Sequence, residues 1–521
     1  MYIQANKISK NFSGSPLFEE VSLQINEQNK IGLVGQNGTG KTTLLQILLK
    51  NEGVDQGVLA HKKGLTVGWI PQNLVSDSET TFSYIYQSFT ELSEIREQLQ
   101  KYEIKMMDLD EEMEKVIFLY GNLQEKFEEK GGYQLEDRIR STMKGLGLED
   151  KLDSPLNHLS GGERVRVELA KILTQEKDVL FLDEPTNHLD LQGIEWLENY
   201  LKLTKSAYIV ISHDRAFLDQ VTTKIIEIED QQLIEYPGNY STYRKLKKER
   251  DVLIQKSYDL QQKEIQRIRK MIRRYRQWGN EGDNEDFFRK AKELERRLEK
   301  MTLVKPPQEV SSRLSRINQA GTSGKEVVIA EEIGKIMGEK ILFSESSFQI
   351  FRGERIAIMG ENGSGKTSLL NLILGHEILD EGSLKVGASV KVGYLPQKLI
   401  FDDLNQRILS YVMNSLPNEQ EARRQLAHFG FFSMDVTKRI KDLSGGEQVR
   451  LYLLQLLQQK INFLILDEPT NHLDIYAREE IEELLATFTG TLLVVTHDRY
   501  FLEKNFTQAL LIEEGIQKID I

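Results

Sequence analysis

Short apolar runs in this chain alternate with longer segments in which apolar residues recur at every third or fourth position. Continuous apolar runs of four residues are typical of parallel strands that are buried on both faces. A helical pattern follows the first run of each half, at Leu44-Leu45 and at Leu369-Leu370. The alternation predicts an α/β fold in each half of the chain. The runs occupy residues 31–34, 179–182, 208–211, 356–359, 463–466 and 492–495.

A glycine-rich loop separates the first strand from the first helix in each half. The loops read Gly-Gln-Asn-Gly-Thr-Gly-Lys-Thr at 35–42 and Gly-Glu-Asn-Gly-Ser-Gly-Lys-Thr at 360–367, and both fit the P-loop pattern. Glycines let the backbone wrap a phosphate chain, while the lysine reaches the outer phosphates and the threonine ligates Mg²⁺. The residues expected to bind ATP are Gly35, Gln36, Asn37, Gly38, Thr39, Gly40, Lys41, Thr42, Thr43, Gly360, Glu361, Asn362, Gly363, Ser364, Gly365, Lys366, Thr367 and Ser368.

The two halves repeat one layout. The lysines of the two P-loops are 325 residues apart, and so are the glutamines Gln72 and Gln397. Further along, the offset between equivalent residues falls to 284, so the first half carries 41 extra residues between Gln72 and Ser160. The pairs at this shorter offset are Ser160 and Ser444, Asp183 and Asp467, and His213 and His497.

Further motifs recur in the same order in both halves. Leu-Ser-Gly-Gly-Glu stands at 159–163 and 443–447, an Asp-Glu pair ends one apolar run, and a histidine follows the next. On these motifs the chain resembles a pair of ATP-binding cassettes (ABC). Open α/β sheets place their ligand chemistry at such strand ends. We expect Glu184 and Glu468 to polarise the attacking water, and His213 and His497 to contact the γ-phosphate. The residues expected to hold Mg²⁺, directly or through water, are Thr42, Gln72, Asp183, Thr367, Gln397 and Asp467.

The resemblance also implies a monomer in which the two cassettes pair within one chain. In the ABC family the serine and glycines of each signature contact the nucleotide held by the opposite half. The signature of the second half, Ser444, Gly445 and Gly446, would thus complete the first ATP site. The signature of the first half, Ser160, Gly161 and Gly162, would complete the second. An aromatic residue before the P-loop stacks on adenine in the family; Phe12 occupies that position, and Met337 is its equivalent in the second half.

A charged segment links the two halves at about residues 240–305. It predicts a long helix from Tyr243 to Gln277, a break at residues 279–284, and a second helix from Phe287 to Met301, before Pro306-Pro307. From Arg244 to Lys305 the net charge is +9, in a chain whose net charge is -12. We interpret the segment as a helical hairpin that probes nucleic acid, although a solvated charged face is the alternative. The residues expected to contact RNA are Arg267, Arg269, Lys270, Arg273, Arg274, Arg276 and Trp278.

The extra residues of the first half predict a second helical hairpin, within about residues 90–140. Residues 95–140 carry a net charge of -4, which favours a protein contact over a phosphate contact; a solvated structural insert is the alternative. The chain has no cysteine, which suits the cytoplasm and excludes disulfides and cysteine-held metals. No apolar stretch is long enough to span a membrane.

Two cassettes, an insert in the first cassette and a basic helical linker resemble the ABC-F family of ribosome-associated ATPases. The resemblance implies an α/β fold with two tandem ABC-type P-loop ATPase domains, joined by a long basic helical hairpin, with a helical arm inserted in the first domain. The expected boundaries are 1–239, 240–305, an extended connector at 306–325, and 326–521.

The resemblance further implies a 70S-type ribosome as partner. The linker would enter the tRNA exit site and touch the P-site tRNA and large-subunit rRNA, and the arm would approach the L1 stalk. The family includes translation factors and antibiotic ribosomal-protection proteins, and the short segment between the linker helices favours the first. Other ABC classes fit less well: a transporter subunit has no use for the basic linker, and DNA-repair and ribosome-recycling ATPases use zinc modules, long coiled coils or iron–sulfur domains.

Overall fold

The computed structural model describes residues 1–12, 15–70, 78–107, 113–187, 189–282, 285–301, 303–304, 324–338, 340–361, 363–432, 435–459, 461–470, 473–496 and 498–521. The predicted sites Gln72, Asn362 and His497, and most of the predicted connector at 306–325, lie outside these residues.

The first cassette is built on a six-stranded sheet with a smaller antiparallel sheet beside it. Its strands are β1 (Ile3–Phe12), β2 (Ser15–Ile25), β3 (Lys30–Gly35), β4 (Gln56–His61), β5 (Val67–Trp69), β6 (Val179–Asp183), β7 (Ala207–Ile211), β8 (Lys224–Glu229) and β9 (Gln232–Pro237). Its helices are α1 (Lys41–Leu48), α2 (Thr81–Tyr86), α3 (Thr90–Met107), α4 (Met113–Glu129), α5 (Gly132–Gly145), α6 (Gly161–Thr174), α7 (Leu191–Leu203) and α8 (Arg215–Val221).

The linker contributes two helices, α9 (Tyr240–Gly282) and α10 (Glu285–Lys300). The second cassette then repeats the first. Its strands are β10 (Glu326–Met337), β11 (Lys340–Phe351), β12 (Arg355–Gly360), β13 (Glu381–Val386), β14 (Val392–Leu395), β15 (Phe463–Asp467), β16 (Thr491–Val495), β17 (Gln508–Ile512) and β18 (Ile516–Asp520). Its helices are α11 (Lys366–Leu374), α12 (Ile408–Met413), α13 (Glu419–His428), α14 (Gly445–Gln458), α15 (Ile475–Thr487) and α16 (Arg499–Asn505).

Each large sheet places its P-loop strand in the middle. The strand order is β5-β6-β7-β3-β8-β9 in the first cassette and β14-β15-β16-β12-β17-β18 in the second. All neighbours are parallel except the last pair of each sheet. The apolar runs are buried as predicted except at Met359, which is half-buried. Helix α1 packs on the first sheet through Leu44, Leu45, Ile47 and Leu48. Parallel order brings the carboxyl ends of β3, β6 and β7 to one edge, where the predicted ATP chemistry lies.

The extra residues of the first cassette form the predicted helical arm. The second cassette passes from α12 to α13, whereas the first interposes α3 and α4 between the equivalent helices α2 and α5. The arm helices are joined by a hydrogen bond from the Tyr120 hydroxyl to Glu103, 2.9 Å long, and by an ion pair between Lys130 and Glu91. Leu99 and Phe127 are buried, while Ile104, Ile117 and Phe118 are exposed.

The two linker helices pack as a hairpin through a small apolar core. Ile268, Ile272 and Ala291 are buried there. The predicted break at 279–284 is wrong at its first residues, because α9 continues through Gly279 to Gly282. Gly279 faces α10: a Cβ added to it would lie 2.7 Å from Cε2 of Phe288. The glycine therefore permits close helix contact without ending the helix.

The observed α9 is also longer than the sequence predicts. It begins at Tyr240 and has 43 residues, which corresponds to about 65 Å of helix. By their contacts, the two cassettes form one unit of the chain and the linker helices form another. Within the described residues, no helix combines the length and apolar character needed to cross a bilayer.

The core of the hairpin generates a stability prediction. Ile268→Ala removes buried methyl groups from a small core, and large-to-small changes of this kind cost about 2–5 kcal/mol. We expect amide exchange in α10 and in the end of α9 to accelerate, measured by hydrogen–deuterium exchange on the intact protein. Leu260→Ala on the exposed side of the same helix is the matched control, and we expect it to leave exchange unchanged. Equal acceleration by the two variants would contradict the assigned core.

Candidate functional site

The first P-loop connects β3 to α1 and curls around its own lysine. Gly38 and Gly40 have φ angles of 81° and 94°, which favour glycine. The buried ammonium of Lys41 donates to the carbonyls of Gly35 and Gln36, at 2.8 and 2.9 Å. Burial lowers the pKa of Lys41, against the opposing effect of nearby carboxylates. The loop thus presents a cradle of backbone N–H groups with a cation at its centre, which suits a polyphosphate.

The second P-loop has the same geometry. Lys366 donates to the carbonyls of Gly360 and Glu361, both at 2.8 Å, and Gly363 and Gly365 have positive φ angles. Burial lowers the pKa of Lys366 as well. Both predicted loops therefore have the shape and charge that ATP binding requires.

The threonine and aspartate that we expect to hold Mg²⁺ meet in the first site. Thr42 Oγ1 donates to Asp183 Oδ2 at 2.8 Å. Asp183 ends β6, and burial raises its pKa. In the second site, burial and then the neighbouring Glu468 raise the pKa of Asp467 to about 6.

Paired oxygen ligands beside a phosphate cradle fit Mg²⁺, which commonly takes one or two protein ligands and completes its shell with phosphates and water. Among the described residues no cluster of three or more His, Cys, Asp or Glu side chains could hold a metal by itself. A magnesium ion would therefore depend on the nucleotide for part of its coordination.

The two predicted catalytic glutamates share an unusual backbone conformation. Glu184 and Glu468 both have φ angles of 49°, a left-handed region that costs a non-glycine residue energy. Each is held there by a hydrogen bond of its N–H to the adjacent strand, to the carbonyl of Ile211 or Val495, both 2.9 Å long.

Glu184 lies against the predicted histidine of its own half. His213 Nε2 is 3.2 Å from Glu184 Oε1, and the backbone N–H of His213 donates to Oε2 at 3.3 Å. Burial raises the pKa of Glu184 to about 7. Burial, with the charges of Lys41 and Arg478, lowers the pKa of His213 to about 3, so the imidazole is neutral. A base with a pKa near the working pH is suited to proton transfer from water.

The second site differs in its described contacts. Gln397 Nε2 donates to Glu468 Oε2 at 2.9 Å, so the predicted metal-associated glutamine contacts the predicted base.

Cavities of 380 Å³ and 440 Å³ adjoin the first and the second P-loop, respectively. Phe12 lines the first cavity beside Leu17, whereas the second is lined by Lys340, Ile341 and Leu342, and Met337 is not among its lining residues. The two cavities therefore share one equivalent leucine, since Leu17 and Leu342 are 325 residues apart, and they differ at the aromatic position.

The opposite cassette reaches each P-loop through the aspartate that follows His-Leu. The N–H of Asn37 donates to Asp474 Oδ2 at 2.9 Å, and Asp190 and Gln192 line the cavity of the second P-loop. The signature serines, in contrast to these aspartates, do not line the cavities beside the P-loops. Ser160 and Ser444 cap α6 and α14 and are not among the residues that line the two cavities. The crossed arrangement is thus present in the aspartates, for which the sequence predicted no contact.

Reciprocal arginine–glutamate pairs also cross between the cassettes. Arg215 pairs with Glu482, and Arg499 Nη1 lies 3.3 Å from Glu198 Oε1. Both arginines directly follow the His-Asp motif, and the two pairs are related by the offset of 284. The shared offset of 284 was the only sequence signal that could have pointed to these contacts. The sequence alone does not identify which distant glutamate pairs with each arginine.

The predicted RNA-contacting residues all lie on α9, and the basic ones are exposed. Arg276 pairs with Glu295 of α10 at 2.6 Å. The guanidinium of Arg274 lies 5.7 Å from the ring centroid of Trp278, which packs against Phe287. The tip therefore presents Arg267, Arg269, Lys270, Arg273 and Arg274 outward, while Trp278 helps to hold the two helices together.

The raised pKa of Glu184 predicts a pH-dependent stability effect. Its ordinary pKa is 4.5 and its folded pKa is about 7, so the stability it contributes is present below pH 4.5 and is lost as the pH rises through 7. A neutral glutamine avoids that loss, which is up to about 3 kcal/mol at pH 8. We expect Glu184→Gln to raise the Tm of the nucleotide-free protein at pH 8, and the gain to shrink at pH 5. A gain of equal size at both pH values would contradict this explanation.

Comparison with known proteins agrees with the geometry. A family model described as "ABC transporter" matches residues 18–187 and 343–471, and a second model with the same description matches residues 226–315. The fold resembles that in a crystal structure of archaeal ribosome recycling factor aABCE1 with ribosomal stalk protein aP1, with a TM-score of 0.62 at 18% identity over 98% of this chain and 89% of the other.

Several relatives align along nearly the whole chain. The putative ATP-binding protein YdiF of Bacillus subtilis is 36% identical, over 98% of this chain and 80% of its own length. The ribosome protection protein VmlR of Bacillus subtilis is 32% identical, over 99% and 88%. ABC transporter F family member 5 of Arabidopsis thaliana is 35% identical, over 98% and 75%. With its paired cassettes, P-loops and helical linker, the chain belongs to the ABC-F family of ATP-hydrolysing ATP-binding cassette proteins.

Proposed function

We propose that this protein is a ribosome-binding ATPase that engages the tRNA exit site in its ATP-bound form and leaves after hydrolysis. One observation carries the proposal: an exposed basic hairpin, of net charge +9, joins two crossed ATP sites in an otherwise acidic chain. A surface of that charge attracts phosphate backbones while the acidic cassettes repel them. The relative named as a ribosome protection protein supports the same partner.

The ATP sites supply the switch. Lys41 and Lys366 bind the outer phosphates, Glu184 and Glu468 accept a proton from the attacking water, and His213 and His497 contact the γ-phosphate. Thr42 and Asp183, and in the second site Thr367 and Asp467, would hold Mg²⁺, with Gln72 and Gln397 nearby, and the bound ion would supply neutralisation of the phosphate charge. The signatures Ser160–Gly162 and Ser444–Gly446 close on the opposite nucleotides. Binding therefore favours the closed state, and loss of the γ-phosphate releases it.

The appended helices determine the partner. In this proposal α9 and α10 reach the P-site tRNA and large-subunit rRNA through their outward arginines, and the acidic arm meets a protein surface near the L1 stalk. The continuation of α9 to Gly282 leaves residues 283–284 between the helices, too few for a loop that displaces a drug. This length favours a translation factor of the cytoplasm over direct removal of an antibiotic.

Trapping the ATP-bound state tests the switch. Changing Glu184 and Glu468 together to Gln keeps the side-chain shape but removes the bases, so ATP stays bound. We expect the double variant to sediment with ribosomes in ATP at a level well above that of the parent, and equally in ADP. Sedimentation no better than that of the parent would refute the switch. Recovery with membranes instead would favour the transporter class.

Charge reversal tests the linker. Arg273→Glu with Arg274→Glu changes the net charge of the outward face by -4, and each lost phosphate contact weakens binding electrostatically. We expect ribosome-stimulated ATP hydrolysis to fall to the basal rate while the basal rate is kept. The matched control reverses two adjacent exposed arginines of the second cassette, Arg423 and Arg424 on α13. Stimulation that survives the linker change, or that is lost equally in the control, would refute the assigned RNA face.

A further inference from the structure

Arg478 is a buried arginine of the second cassette that lies beside the active site of the first. It sits in the first turn of α15, four residues after Asp474, which caps that helix. Its side chain is 9% exposed. A buried guanidinium must be paired, because an unpaired charge removed from water is costly.

Two hydrogen-bonded contacts fix its position. Nε donates to the carbonyl of Leu473 at 3.2 Å, and Nη1 donates to Asp498 Oδ2 at 3.1 Å. Asp498 caps α16 and follows the predicted γ-phosphate histidine of the second half. Arg478 therefore ties the turn before α15 to the strand end that serves the second ATP site.

That turn contacts the first P-loop directly. Asp474 accepts the N–H of Ala477 with one carboxylate oxygen and the N–H of Asn37 with the other, at 2.8 and 2.9 Å. The Leu473 carbonyl held by Arg478 immediately precedes this aspartate. The charge of Arg478 also acts on the first site. It opposes the burial that raises the pKa of Glu184, and it adds to the burial that lowers the pKa of His213.

The first cassette has no equivalent arginine. At the offset of 284 the counterpart of Arg478 is Ile194, which is buried in α7. An isoleucine cannot hold the carbonyl of the Asp190 turn or pair with Asp214. The two turns that approach the P-loops are therefore held by different arginines, since Nη2 of Arg499 in the second cassette donates to the first carbonyl of α7 at 3.2 Å.

We propose that Arg478 is a positioning residue for the first ATP site alone, which it joins to the second site through Leu473 and Asp498. Hydrolysis at the first site then depends on the conformation of the second cassette through this arginine, and no arginine at the equivalent position of α7 provides the same link to the second site. The kinetic consequence of this inference rests on the proposed role of Glu184 and Glu468. The positioning of the Asp474 turn by Arg478 is independent of that role.

The test uses Arg478→Ile, which installs the residue that the other half carries. Amide exchange is measured on the nucleotide-free, full-length protein. Because the Asn37 N–H loses an ordered charged acceptor, we expect exchange in residues 35–41 to accelerate about tenfold or more. Exchange in residues 360–366 stays within about twofold. Arg450→Ile is the control, since Arg450 of α14 pairs with Glu480 of α15, the helix that carries Arg478, and no hydrogen bond of Arg450 to Leu473 or Asp474 is found among the described residues.

Kinetic measurements on single-site variants isolate each ATP site. With Glu468→Gln only the first site turns over, and adding Arg478→Ile lowers its kcat by about tenfold with little change in KM. With Glu184→Gln the same change leaves the kcat of the second site within about twofold. A lysine at 478 keeps the charge but cannot hold Leu473 and Asp498 together, so Arg478→Lys restores the first site only in part; it also replaces Arg478→Ile if that variant fails to fold.

Equal loss at both sites, or unchanged exchange in residues 35–41, overturns the proposal. If instead the single glutamine variants keep the turnover of the parent, the assignment of the glutamates fails. In that case the amide-exchange measurement still decides whether Arg478 is a positioning residue.

Discussion

The reciprocal ion pairs between the cassettes are the constraint on which the paired ATP sites depend. Arg215 and Glu482 are both almost fully buried, and each ion removed from water costs several kcal/mol unless its partner is in place. The arginines follow directly on the His-Asp motifs, so the groups that join the cassettes adjoin in sequence the histidines proposed to contact the γ-phosphate. Relative movement of the cassettes must therefore disturb both. The equivalent pair of Arg499 and Glu198 is more exposed, which makes the interface unequal at its two ends.

The predicted catalytic glutamates directly follow the strands β6 and β15, and their backbone is strained there. The left-handed backbone of Glu184 and Glu468 opposes the local preference of the chain, and a bond to the neighbouring strand maintains it. Parallel strands on both sides make that bond available only in the complete sheet. Burial of Glu184 raises its pKa to about 7, a value that would suit a group that accepts a proton from water.

The sequence predicted most of the fold because its signals were local and repeated. The P-loops, the apolar strands, the arm and the basic linker were all visible as patterns, and the fold class is confirmed. The end of α9 was missed because glycine was interpreted as a helix breaker, whereas Gly279 serves the contact with Phe288. The contacts of Asp474 with Asn37 and of Arg215 with Glu482 were missed for a different reason. They join residues more than 250 positions apart, and only the three-dimensional arrangement of the cassettes identifies their partners.

The signature serines show how one atom can come under two kinds of selection. Ser160 Oγ accepts the N–H of Glu163, whose carboxylate accepts the N–H of Ser160, and Ser444 forms the same box with Glu447. A hydroxyl that accepts in this way retains its hydrogen, which it can still donate to a phosphate. An alanine at either position would lose a helix cap worth about 1 kcal/mol together with that donor. Mutational drift at these two positions would thus be penalised even in a descendant that no longer used ATP.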